Sequence, residues 1–163
     1  SGYATTSRTS SASTKVAKVS TPTIKGSAKV NSKLNAKPGS WTKGTKFTYR
    51  WYLNGKAVKG GTNKTLKMTP SRVGMKASVK VTGKLKGHTT VSRTSKATAA
   101  ISYPTRTTPS SRTSCPSWAP IKGNQPSMIY HLKGQRFYTK THPEECFRTE
   151  SAAKKAGYRK SLI

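Results

Sequence analysis

The sequence predicts a mainly β chain, with a β-sandwich over residues 21–101 and a small disulfide-stapled α+β module over residues 115–163. Three observations carry that expectation. Short stretches between residues 21 and 101 alternate apolar with polar side chains, the period of a half-buried strand. Turn-forming residues punctuate these stretches every ~8–12 residues, a spacing typical of sandwiches. The only two cysteines, Cys115 and Cys146, fall in a C-terminal segment whose composition differs from everything before it.

Residues 1–20 are Ser, Thr, Ala and Lys with almost nothing to bury, and read as a disordered lead. Ser1-Gly2-Tyr3-Ala4-Thr5 has neither an initiating Met nor the charged start of a signal peptide, so the numbering is expected to begin at a processed or trimmed end. Ala28, Val30, Leu34 and Ala36 supply an opening strand pair. In the next apolar stretch Phe47, Tyr49, Trp51 and Leu53 share one face of a strand, and Asn54-Gly55 follows as a strong hairpin signal. Leu66 and Met68 make a shorter alternation. From Met75 to Thr82, Met75, Ala77, Val79 and Val81 point one way while Lys76, Ser78, Lys80 and Thr82 point the other. The segment around Thr90-Val91-Ser92 closes the sheet. Residues 102–114, rich in Pro, Ser, Thr and Arg and without apolar period, read as a linker.

With these residues the span from Thr21 to Ile101 resembles the bacterial immunoglobulin-like repeats of exported, mostly actinobacterial surface proteins. The likeness rests on Pro22-Thr23-Ile24-Lys25-Gly26, Pro38-Gly39-Ser40-Trp41, Tyr49 to Lys56, Val73-Gly74-Met75-Lys76 and Val79-Lys80-Val81-Thr82-Gly83. It implies an immunoglobulin-like β-sandwich and a spacer or adhesive role, and no activity.

In the second segment, Met128-Ile129-Tyr130-His131 and Gln135-Arg136-Phe137-Tyr138 read as two short strands around Lys133-Gly134. Glu150 to Ala156 reads as a helix with Thr149 as N-cap, Glu150 at its positive end and Gly157 as its stop. Two cysteines without a C-x-x-C pair favour a structural bridge over a metal site. A zinc reading would take both with His131 or His142, but structural zinc sites bring ligands in close pairs. The module resembles the sunset domain of exported actinobacterial proteins through Cys115-Pro116, Ile121 to Asn124, Tyr130-His131, Phe137-Tyr138, Glu144 to Phe147 and Ala156 to Arg159. That resemblance implies a nucleic-acid context at most.

Charge dominates the functional reading. The chain carries 32 Lys and Arg against 3 acids, for a net charge of +29. From Ser1 to Ser114 there are 23 basic residues and no acid; Cys115 to Ile163 holds 9 basic and 3 acidic residues. Carboxylate-dependent catalysis is therefore excluded over the first 143 residues, and no cofactor, metal or catalytic residue is expected. Glu144 or Glu145 with His131 lacks an accompanying nucleophile. No apolar run approaches the roughly 20 residues of a membrane-spanning helix. Unbalanced like charge is costly in a compact fold unless a polyanion neutralises it. The expected contacts are Lys56, Lys59, Lys64, Lys67, Lys76, Lys80, Lys84 and Lys86. Lys outnumbers Arg 23 to 9, which favours diffuse phosphate contact over base reading. Trp41 and Trp118, in loop-like contexts, are candidates for stacking on a base or sugar. The expectation is a secreted, non-enzymatic cationic protein holding DNA or a phosphate-rich cell-wall polymer. The alternatives are a secreted antibacterial protein aimed at competitors' envelopes, a cytosolic nucleoprotein with free thiols, and a spacer without a ligand.

Overall fold

A computed structural model describes residues 18–163. The expected disordered lead, residues 1–20, lies outside the described residues except for Lys18 to Ser20. These three lie along residues 40–42: the Lys18 amide donates to Thr42 Oγ1, and Ser20 Oγ donates to the Ser40 carbonyl. The chain is mainly β and divides into two compact units, one ending at Ser102 and the other beginning at Tyr103.

The first unit holds seven strands: β1 (Thr23–Lys25), β2 (Lys33–Lys37), β3 (Lys46–Leu53), β4 (Lys56–Ala57), β5 (Thr65–Lys67), β6 (Ala77–Lys84) and β7 (Val91–Thr94). They form two antiparallel sheets, ordered β1-β2-β5 and β4-β3-β6-β7. Leu34, Ala36 and Leu66 from one sheet meet Trp51, Ala77, Val79 and Val81 from the other in a single buried core, completed by Met68 and Ile101. Phe47, Tyr49 and Leu53 pack against it, so the alternation in β3 and β6 faces as the sequence predicts. Asn54 and Gly55 both take positive φ (46° and 79°), which a two-residue turn matching the strand twist requires, and this turn joins β3 to β4. Of the apolar residues expected to open the fold, Leu34 and Ala36 lie in β2. Ala28 and Val30 lie in a connection bound to Ser102.

Residues 95–102 complete the sandwich without an apolar pattern. Their backbone N–H groups donate to β6 and to the loop before it, Ser95 to Val79, Thr98 to Ala77 and Ile101 to Met75. In return, the Val79 and Ala77 amides donate to Ser95 Oγ and Thr98 Oγ1. Side-chain hydroxyls thus stand in for strand carbonyls, and the edge of β6 is satisfied.

The second unit is a five-stranded sheet ordered β12-β10-β9-β11-β8, with one helix. Its elements are β8 (Arg106–Thr107), β9 (Ile121–Asn124), β10 (Ile129–His131), β11 (Glu145–Phe147), α1 (Glu150–Lys155) and β12 (Arg159–Lys160). Thr149 Oγ1 accepts from the Ala152 amide and Gly157 takes φ 90°, so α1 starts and stops as its sequence predicts. Phe147 and Tyr158 meet edge to face over Gly123, where a Cβ would lie 2.8 Å from both rings. Tyr130, Ile121 and Ala153 complete this core.

Two expectations need revision. Residues 102–114 are expected as a linker, yet β8 pairs with β11 and Tyr103 stacks on Trp118 at 4.8 Å, so most of the segment is built into the second unit. Gln135 to Tyr138 is not a strand. The Gln135 side chain accepts from the Leu132 amide, and successive turn hydrogen bonds carry the chain through Thr141. β10 pairs instead with β9, antiparallel, and with β12, parallel.

Candidate polyanion interface and the polar face of the second unit

Antiparallel partners project to the same side of a sheet, so the register fixes which cations share a face. On the outer side of β3 and β6, Lys46 lies opposite Lys84 and Arg50 opposite Lys80, with Thr48, Thr82 and Ser92 between. On the outer side of the other sheet, Lys33 lies opposite Lys67, while Lys25 and Lys37 flank Asn35. Three pairs of like charges thus face each other directly. Such pairs are destabilising, and no acid occurs anywhere in this unit to offset them.

The eight predicted lysines do not form one patch. Lys80 and Lys84 lie on the outer face of β6, Lys76 just before that strand, and Lys86 in the turn after it. Lys56 is in β4 and Lys59 in the turn beyond it. Lys67 belongs to β5 on the other sheet, and the Lys64 carbonyl accepts from Ala36 of that same sheet. The outer faces also carry Lys25, Lys33, Lys37, Lys46 and Arg50, which the expected set leaves out. Their signal was present, because Lys33, Lys37, Lys46 and Arg50 fall at the polar positions of the same alternation that turns Lys80 away from the core. Trp41 is engaged within the fold: it lies over Gly83, meets Phe47 edge to face at 5.3 Å, and donates from Nε1 to the Pro38 carbonyl. Trp118 is stacked on Tyr103.

In the second unit Cys115 and Cys146 form the expected disulfide. All three acids have partners. Tyr130 donates to Glu150 at 2.7 Å and Glu150 pairs with Lys160; Tyr158 donates to Glu145 at 3.1 Å and Glu145 pairs with Arg106. Glu144 accepts from the Gln125 amide at 2.7 Å. Burial and then the bonded carboxylates push both tyrosines up to about 12. The hydrogen bond from Tyr130, followed by Lys160, holds the Glu150 carboxyl below its ordinary value.

The opposite face of this sheet carries Lys122, His131 and Cys146, which are register partners across β9, β10 and β11. Lys122 is only 3% exposed. Its ammonium donates to the Tyr138 and Thr141 carbonyls at 2.7 and 3.1 Å and lies 4.5 Å from the Tyr138 ring centroid. No carboxylate is paired with it, and burial pushes its pKa down. His131, opposite it, is 8% exposed, and its Nδ1 is buried without a hydrogen-bond partner. Burial and then the Lys122 charge lower its pKa. His131 lines a shallow cleft shared with Lys140 and His142. Among the described residues no group of three or more His, Cys, Asp or Glu is placed to hold a metal ion, and no helix is long and apolar enough to cross a membrane.

Residues 101–160 match the protein family described as ArfC. The match covers well under half of the chain. It starts two residues before Tyr103 and ends on the last residue of β12, so it takes in the expected linker and the bridged module together. No match was found among curated proteins or among solved structures.

Proposed function

We propose that the chain is a secreted, non-enzymatic, strongly cationic protein that binds an extracellular polyanion, either DNA or a phosphate-rich cell-wall polymer. The observation that carries this reading is the set of directly opposed like charges on the outer faces of the sandwich, Lys33–Lys67, Lys46–Lys84 and Arg50–Lys80, in a unit without acids. A fold gains nothing from such pairs by itself; a phosphate polymer laid across them relieves the repulsion and releases counterions. The intervening Thr and Ser hydroxyls add neutral donors to phosphate oxygens, and the lysine-rich composition fits backbone contact without sequence preference. The resemblance to immunoglobulin-like surface repeats and the bridged second unit support an exported setting, where disulfides persist.

The test is binding of labelled duplex DNA across a salt series, with purified bacterial wall polymer as competitor. Binding in the micromolar range that weakens steeply with salt is expected. Retention of DNA against the polymer assigns the nucleic acid, and displacement assigns the envelope. Failure to bind either one at moderate salt would reject the reading.

A further inference from the structure

We propose that the second unit carries a discrete site for one oxyanion, of phosphate or phosphomonoester chemistry, in the cleft lined by His131, Lys140, His142, Asn124, Ser127 and Thr141. The site stands apart from the sandwich faces, because it lies in the second unit and has the buried His131 in its lining.

His131 leaves a hydrogen bond unmet. His131 is more than nine-tenths buried and its Nδ1 has no partner, a costly state for a polar atom. Lys122 adds a charge that no carboxylate compensates. Lys122, the register partner of His131, is buried with only two carbonyls and a ring for company. Buried cations are ordinarily paired, yet Glu145 and Glu150 are held by Tyr158, Arg106, Tyr130 and Lys160. Glu144 is tied to the Gln125 amide and does not line the cleft. No carboxylate lines the cleft, and Lys140 brings a positive charge to it.

Donors are available to meet an anion there. Lys140 is exposed and lines the cleft. Asn124 Oδ1 accepts from both the amide and the hydroxyl of Ser127, which leaves the Asn124 amide N–H groups as donors. His131 and His142 present imidazole nitrogens that donate when protonated. A metal ion would meet two imidazoles at most and would be repelled by Lys122 and Lys140. A compact oxyanion with several acceptor oxygens answers the donors that line the cleft, and its charge offsets that of Lys122, the register partner of His131.

The test uses the full chain with isotope-labelled histidine, followed by NMR at constant ionic strength. Inorganic phosphate is one titrant and phenyl phosphate the other, with chloride as the balancing salt. The expected result is a saturable shift of the His131 ring signals, with the His88 signals, from the other unit, unchanged. Because the anion favours imidazolium, His131 should also titrate at higher pH when phosphate is bound. Lys140→Ala, an exposed substitution that leaves the core intact, should weaken the apparent affinity about tenfold, the effect of one charge-assisted hydrogen bond. Tighter binding of phenyl phosphate points to a terminal phosphate on a larger molecule, and tighter binding of inorganic phosphate to the free ion. The proposal is overturned if His131 does not respond, if all three histidines drift together without saturation, or if Lys140→Ala binds phosphate as well as the parent.

Discussion

The imidazole of His131 is held neutral first by burial and then by the Lys122 ammonium, so its folded-state pKa lies below the ordinary histidine value. The sign of the stability effect follows. Above the unfolded value of about 6.5, both states are neutral and nothing is lost. As pH falls below it, the unfolded chain takes up a proton that the folded chain resists, and stability declines until the folded pKa is passed. Urea midpoints should therefore fall between pH 7.5 and 5, and His131→Gln should flatten that slope. An unchanged slope in the variant would remove His131 as its source. The Glu150 carboxyl, depressed by Tyr130 and Lys160, acts in a lower window. Its contribution is present above the ordinary carboxylate value and is lost as pH falls through the folded pKa, so the two effects separate along the pH axis.

β6 shows how an element can be finished by residues that carry no apolar signal. The amides of Val79 and Ala77 donate to Ser95 Oγ and Thr98 Oγ1. Ser95→Ala would leave the Val79 N–H buried without an acceptor, at a cost of about 1–3 kcal/mol. Equilibrium urea unfolding measures it, and an effect below ~0.5 kcal/mol would mean that water or a shifted backbone takes over the bond. The same pairing explains what the sequence could and could not disclose. β3 and β6 were legible because their inward residues, Trp51, Ala77, Val79 and Val81, fill a core and so impose period two on the chain. Residues 95–102 and β8 were not, because main-chain and hydroxyl hydrogen bonds hold them. Residues 135–138 misled for the opposite reason. Phe137 and Tyr138 look like strand residues, but Tyr138 is used to cap Lys122 with its carbonyl and ring. The lysine alternation was legible on β6 and equally present on β2 and β3, but which cations face each other depends on register, and register follows only from the assembled sheets.

At the scale of the whole molecule, the two units draw on different sources of stability, and they can be separated. The second unit is small and is cross-linked by Cys115–Cys146, 31 residues apart, a closure that contributes about 3–4 kcal/mol in the chain-entropy picture. The first unit has no cysteine. Reduction should therefore melt or loosen residues 103–163 while the core signals of Trp51 and Val79 persist, which amide NMR with and without reductant would resolve. Concerted loss of both units would contradict independent cores. The first unit instead carries a conflict between fold and charge, and one substitution should move the two in opposite directions. Lys80 lies directly opposite Arg50. Lys80→Glu replaces repulsion by attraction and should stabilise the fold by roughly 0.5–1 kcal/mol. The same change removes one phosphate contact and adds a repulsive charge, so polyanion binding should weaken and its salt slope should shrink by about one. Urea midpoints and a DNA salt series on the same protein sample read both effects. A variant that gains stability yet binds unchanged would take the β3–β6 face out of the interface. Lys33→Glu, opposite Lys67 on the other sheet, then asks the same question of the remaining face. If neither substitution weakens binding while both stabilise the fold, the opposed charges are not there for a polyanion.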